Sequence, residues 1–230
     1  KIEDMYIALL IGFGILSWFV SSRLKKRFKE YSQIPTSSGL SGAEIAAQML
    51  RDNNIHDVKI TAVQGQLTDH YNPKNKTINL SQDVYEGRNV AAAAVAAHET
   101  GHAVQHATSY AMLSFRSAMV PAVNISSKLM YAIFIMAILG GAVFGMAPQL
   151  FFLVIIAQAV ITLFSVITLP VEFDASARAL QWLNMSRITV VEEHEKAKNA
   201  LQWAASTYVV ATLAAIAQLL YFITAFGGRD

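Results

Sequence analysis

The sequence predicts a mainly α-helical integral membrane protein with four transmembrane helices and a small α+β domain that carries an H-E-x-x-H helix. Of its 230 residues, 54% are hydrophobic and 15% are charged, compared with about 45–50% and about 25% in soluble domains. The mean hydropathy is +0.38. This composition excludes a disordered chain, an ordinary soluble surface and a nucleic-acid binder.

Three uncharged runs contain the predicted transmembrane helices. Met5–Ser22 has 18 residues, Leu129–Val171 has 43 and Trp203–Phe226 has 24. A bilayer-spanning helix needs about 20 residues, so the 43-residue run must turn back on itself, and Ala147-Pro148-Gln149 supplies the turn. The predicted transmembrane helices are therefore 5–22, 129–147, 150–171 and 203–226.

The distribution of Lys and Arg predicts the orientation. Of the 18 basic residues, 12 lie within Arg23–Lys128 and 4 within Glu172–Gln202, whereas the remaining segments share only Lys1 and Arg229. Cytoplasmic segments are enriched in Lys and Arg. We therefore expect a multi-pass protein with both termini outside and with its two polar segments in the cytoplasm.

The larger polar segment, 31–128, is predicted to fold as one cytoplasmic domain. Ser41 and Glu44 have the spacing of a capping box, in which each side chain satisfies an amide at the start of a helix. The smaller segment, 172–202, is predicted to be helical. In chain order, the elements expected in the larger domain are a helix from Ser41 to about Arg51, strands at 58–63, 67–70 and 76–81, and a helix at 89–112.

The last of these helices contains His98-Glu99-Thr100-Gly101-His102. Residues four apart share one face of a helix, so His98 and His102 can bind the same Zn²⁺. Glu99 follows the first histidine and is placed to act as the general base toward an attacking water. The motif therefore predicts two zinc ligands and one catalytic residue.

A catalytic zinc site usually has three protein ligands, and the chain has no cysteine. His106 lies on the same side of the helix as the two motif histidines, but it is about 12 Å from His98 along the helix axis. That distance is too great for both side chains to bind one ion. Glu172 is the better candidate because an acid beside a membrane boundary is costly unless it is paired or metal-bound. Asp174 is its competitor, although a role in orienting a ligand histidine suits it better.

The sequence resembles the neutral zinc metallopeptidases of bacterial membranes, the YugP-like family. Three segments carry the resemblance: LTDHYNP at 67–73, the helix at 90–106 with HETGHAVQH, and PVEFDAS at 170–176. The layout is more distantly similar to the heat-shock membrane protease and CAAX prenyl protease group, whose third ligand is the Glu of a Glu-x-x-Ala-Asp segment. The resemblance implies a zincin-like domain and a ligand role for Glu172, with Ser176 where that group has Asp.

The function expected from motif and resemblance is that of a gluzincin-type zinc metalloendopeptidase in the bacterial cell membrane. Its partners would be the bilayer and protein or peptide substrates, including membrane proteins. Lys76–Ser81 is the expected edge strand, with Asn79 and Leu80 pairing with an extended substrate. One alternative is a proteolytically silent zinc-binding scaffold. Another is a zinc-dependent membrane protein that processes or transports something other than peptides.

Peptide hydrolysis also needs a hydrogen-bond donor for the oxyanion of the tetrahedral intermediate. Tyr208 is the candidate, because it follows the cytoplasmic start of the fourth span at a depth close to that of Glu172. A tyrosine at this depth is also typical of the aromatic belt of membrane proteins. Arg178 and His194 are the other donors considered.

The orientation can be tested by cysteine labelling, because the chain contains no cysteine. Lys1→Cys and Arg229→Cys should react with an impermeant thiol reagent on intact cells, and Lys59→Cys should react only after permeabilisation. The reverse labelling pattern would show that the basic residues do not set the orientation.

Overall fold

The structure, a computed structural model, describes residues 2–138 and 148–227. The predicted turn at Ala147 falls partly outside these ranges, as does the end of the predicted span 129–147. The elements are α1 (Ile2–Tyr31), α2 (Gly42–Asp52), β1 (Lys59–Val63), β2 (His70–Asn72), β3 (Thr77–Ser81), α3 (Gln82–Tyr85), α4 (Val90–Ala107), α5 (Ala111–Ile138), α6 (Pro148–Met185) and α7 (Val191–Gly227).

Within the described residues, four helices are long and apolar enough to cross a membrane: Asp4–Tyr31, Ala111–Met136, Leu150–Met185 and Val191–Ala225. The prediction of a mainly helical chain with four such helices and a small sheet is confirmed. Helix α6 has 38 residues and is therefore about 57 Å long, whereas the hydrocarbon core of a bilayer is about 30 Å thick. The helix is continuous through Glu172, where the sequence placed the end of a span.

The second of these helices begins earlier than expected. Helix α5 starts at Ala111, within the segment assigned to the cytoplasmic domain, whereas the predicted span started at Leu129. Lys128 ends the uncharged run, and Arg116 interrupts the apolar residues further upstream. Two charged residues thus concealed the first half of this helix.

The chain forms two compact units, and the site residues lie in the second. The first unit comprises the described parts of Lys1–Phe19, Phe115–Leu169 and Thr207–Asp230. The second comprises Val20–Ser114 and Pro170–Ser206. In the second unit, α4 is the central helix of a continuous hydrophobic core, and its alanines at 91–94, 96 and 97 are fully buried. Small side chains allow its neighbours to pack close to it.

The ends of α4 are set by local hydrogen bonds. The side chain of Asn89 accepts a hydrogen bond from the Ala92 amide (2.9 Å) and caps the start. At the other end, Ser109 has φ +54°, and the Tyr110 amide donates to the Gln105 carbonyl (2.9 Å). This is the Schellman pattern, in which glycine is the usual residue at the left-handed position. Because serine occupies that position, no glycine marks the end of the helix in the sequence, and the predicted helix extended to residue 112.

The three strands form one sheet in the order β1-β3-β2. Strand β3 pairs with β1 in parallel and with β2 in antiparallel orientation. The prediction that Lys76–Ser81 forms the edge strand is therefore wrong, because β3 has a neighbour on each side. Strand β1 pairs along the whole of β3, and β2 pairs with it from Thr77 to Asn79.

Candidate metal centre

Helices α4 and α6 approach each other closely at Gly101. A Cβ atom built on this glycine would lie 2.6 Å from the backbone oxygen of Ala175, which is shorter than any real Cβ contact. Ala175 is itself fully buried. The fourth position of the H-E-x-x-H motif thus brings the backbones of the two helices together without an intervening side chain.

This contact places one face of α4 against α6. His98, Gly101, His102 and Gln105 lie three, four and seven residues apart and therefore share that face. Each of the four lies directly against a residue of α6. The face carries both histidines of the motif toward the helix that contains Glu172.

The structure brings His98, His102 and Glu172 into one cluster. The Oε2 atom of Glu172 lies 3.3 Å from His98 Nε2 and 3.7 Å from His102 Nε2. One ligand atom from each of the three residues lies within 4.8 Å of the others. Glu172 is 3% exposed and His102 is also buried, whereas His98 is partly exposed. The cluster is therefore enclosed on the side of α6 and accessible at His98.

The donor set and its spacing fit zinc. Ligands at about 2.0–2.1 Å from a tetrahedral Zn²⁺ lie about 3.3–3.4 Å apart, close to the 3.3 Å and 3.7 Å separations measured here. Although burial lowers the pKa of His102, the carboxylates of Glu172 and Glu99 outweigh it and hold that pKa above its usual value. Carboxylates that stabilise a protonated His102 would also stabilise a divalent cation bound at the same place.

The outer nitrogens of both histidines also have partners. His98 Nδ1 lies 3.1 Å from the hydroxyl of Ser176, and His102 Nδ1 lies 3.0 Å from Oε1 of Gln105. Hydrogen bonds of this kind orient imidazole ligands in metal sites. Asp174, expected to orient a histidine, instead accepts a hydrogen bond from Gln105 (2.8 Å) and so reaches His102 through that amide.

Glu99 is held by the sheet. Its side chain is buried, and its Oε2 accepts a hydrogen bond from the backbone amide of Tyr71 (2.9 Å) in β2. The amide of Tyr71 is thus directed at α4. Strand β2 therefore fixes the carboxylate that the sequence identified as the general base.

The side chain of Tyr71 makes a second contact with α4. Its hydroxyl lies 2.7 Å from Nδ1 of His106. Burial, followed by the nearby Asp57 carboxylate, raises the pKa of Tyr71 to about 12. The phenol therefore stays protonated at neutral pH and can donate to His106. His106 lies outside the cluster of three, as its distance along the helix predicted.

The proposed oxyanion donors have different surroundings. Tyr208 is 36% exposed on α7 and belongs to the first unit, whereas the cluster belongs to the second. Arg178 donates from Nε to Asp174 (2.6 Å) and lies over the ring of Tyr110. His194 lies near the start of α7, where its Nδ1 is buried. The donor role of Tyr208 stays a prediction.

Gln105 and Tyr71 are the two site residues that sequence reasoning missed. Gln105 follows His102 by three residues, so helical spacing could have placed it beside that histidine. Tyr71 lies 28 residues before Glu99 and acts through its backbone amide. Any residue type except proline provides such an amide, so the side-chain pattern held no signal for it.

Comparison with known proteins places the chain in a protein family. A family model with the description "Putative neutral zinc metallopeptidase" matches residues 6–227. The chain is 40% identical over 227 residues to a Bacillus subtilis (strain 168) protein named "Putative membrane protease YugP", covering 98% of this chain and 99% of that protein. No solved structure matches.

The close approach at Gly101 leads to a prediction for Gly101→Ala. The new methyl group would meet the Ala175 backbone at 2.6 Å, so α4 and α6 should separate at a cost of about 1–3 kcal/mol. We expect a lower unfolding temperature and a loss of bound zinc. Gly12→Ala is the control, because no atom outside its own stretch of helix lies within 4 Å of that Cβ position. Equal zinc content in the two variants would contradict the packing argument.

Proposed function

The chain belongs to the family described as "Putative neutral zinc metallopeptidase", and we propose that it hydrolyses peptide bonds as a gluzincin-type membrane metalloendopeptidase. The observation that carries the proposal is the meeting of His98, His102 and Glu172, whose ligand atoms lie within 4.8 Å of one another. Two imidazoles and one carboxylate are the ligand set of several zinc hydrolases.

In this proposal His98, His102 and Glu172 hold one Zn²⁺, and Glu99 is the general base. Zinc bound there would supply a Lewis acid that polarises the scissile carbonyl and lowers the pKa of the attacking water. Glu99 accepts a proton from that water and passes it to the leaving amine. The Tyr71 amide supports this role because it holds one carboxylate oxygen and leaves the other for the proton.

The substrate is proposed to be a protein or peptide in extended form. Because β3 is internal to the sheet, it has no open edge for a substrate strand. Strand β2 is the edge strand beside Glu99, and the amide of its middle residue, Tyr71, is directed at that carboxylate. An extended peptide lying along this edge would pass the general base.

The side of the membrane on which the site lies is proposed from the distribution of Lys and Arg along the chain. The four long apolar helices support a membrane protein. The excess of Lys and Arg in Arg23–Lys128 and Glu172–Gln202 favours a cytoplasmic active site and external termini. Membrane proteins are then among the substrates within reach.

Replacing the general base separates the peptidase from the silent scaffold. Glu99→Gln keeps the shape of the side chain and its contact with the Tyr71 amide, but a neutral amide oxygen is too weak a base to take the proton. We expect full zinc content and at least a 10²-fold loss of turnover on an unstructured protein such as casein, the usual scale for losing a general base.

Glu192→Gln is the matched control, because that side chain is 88% exposed. It should leave turnover unchanged. Near-parental turnover in Glu99→Gln would contradict the mechanism. A parent chain that binds zinc and cleaves no peptide would favour the scaffold.

A further inference from the structure

Gln105 is a buried amide between the two helices that carry the cluster. It is fully buried. Its Nε2 donates to the backbone carbonyl of Val171 and to Oδ2 of Asp174, both at 2.8 Å, and its Oε1 lies 3.0 Å from His102 Nδ1. Every hydrogen of this amide thus has a partner, and two of the three partners lie on α6.

These partners allow one orientation of the amide. A backbone carbonyl accepts hydrogen bonds and cannot donate, and neither can a carboxylate in an ion pair. A flipped amide would turn its oxygen toward the two oxygens of Val171 and Asp174. The NH₂ group must therefore face α6, and Oε1 must face His102.

The orientation of Gln105 fixes the tautomer of His102. Because Oε1 can only accept, Nδ1 of His102 must carry the proton. Nε2 then presents its lone pair on the side of Glu172, 3.7 Å away. The partner of His98, the Ser176 hydroxyl, can either donate or accept, so it imposes no such choice.

Asp174 is itself held in place. Its Oδ2 accepts a hydrogen bond from Arg178 Nε at 2.6 Å, and the Arg178 guanidinium lies 6.0 Å from the centroid of the Tyr110 ring. This ion pair keeps a carboxylate acceptor facing Gln105. Asp174 on α6 therefore contacts the Gln105 amide, which in turn contacts His102 of the motif.

We propose that Gln105 is a positioning residue for the zinc site: it holds His102 in the Nδ1-protonated tautomer and ties α4 to the segment of α6 that presents Glu172. The inference rests on the proposed zinc site and adds a determinant of metal affinity outside the ligands. Removal of such a partner typically costs 10–100-fold in metal affinity.

The test compares the zinc affinities of full-length variants by competition with a chromophoric chelator, without peptide. Gln105→Met should bind zinc 10–100-fold more weakly than the parent. Gln158→Met is the control, because Gln158 is also buried and donates to a backbone carbonyl, that of Ala215 at 3.1 Å, in the first unit. It should bind zinc like the parent even if it is less stable. Equal affinities in both variants would overturn the proposal.

A second measurement needs no substitution at Gln105. In ring ¹⁵N NMR of the zinc-free parent at alkaline pH, the His102 signals are identified by their absence in His102→Gln. They should show Nδ1 protonated and Nε2 unprotonated, because Oε1 of Gln105 can only accept from Nδ1. The Nε2-protonated tautomer would overturn the proposal, and this measurement decides the matter where Gln105→Met does not fold.

The outcomes separate this inference from the proposed function. A parent that binds zinc without cleaving peptides would contradict the peptidase activity and leave the affinity comparison valid. A parent that binds no zinc would overturn both proposals.

Discussion

The close approach of α4 and α6 at Gly101 is the constraint on which the arrangement of the site depends. With no Cβ at this position, the backbone oxygen of Ala175 can lie where a side chain would otherwise be. The two histidines flank this contact on α4, and Glu172 precedes it on α6. The bond from Gln105 to the Val171 carbonyl spans the same crossing. A wider separation would take Glu172 away from both imidazoles at once.

Burial of so many polar groups is costly unless they are paired. The Glu172 carboxylate lies against Nε2 of both histidines, Glu99 accepts a hydrogen bond from the Tyr71 amide, and Gln105 has hydrogen-bond partners on both helices. The surrounding core is rich in alanine, which lets helices pack closely without adding bulk near the cluster. The second unit therefore contains an apolar core and, within it, a set of hydrogen-bonded polar side chains that includes the proposed zinc ligands.

Local patterns in the sequence predicted the parts of the molecule that local interactions determine. The capping box of Ser41 and Glu44 starts α2 as expected, and the long apolar runs mark the four long helices. The H-E-x-x-H spacing placed His98 and His102 on one face because helical periodicity alone decides it. The edge strand was predicted wrongly because the pairing of β3 with β1 joins segments 18 residues apart, and no single strand encodes its neighbours. The roles of Tyr71 and Gln105 were not predicted, because they depend on which element of the fold packs beside each residue.

The central claim is that α4 and α6 hold one zinc ion between them. The most direct test is a diffraction measurement at the zinc absorption edge on crystals of the full-length protein loaded with one equivalent of zinc. The account predicts a single strong anomalous peak at about 2.0–2.2 Å from His98 Nε2, His102 Nε2 and a carboxylate oxygen of Glu172. A peak bound by other residues, with Glu172 turned away from both histidines, would contradict it.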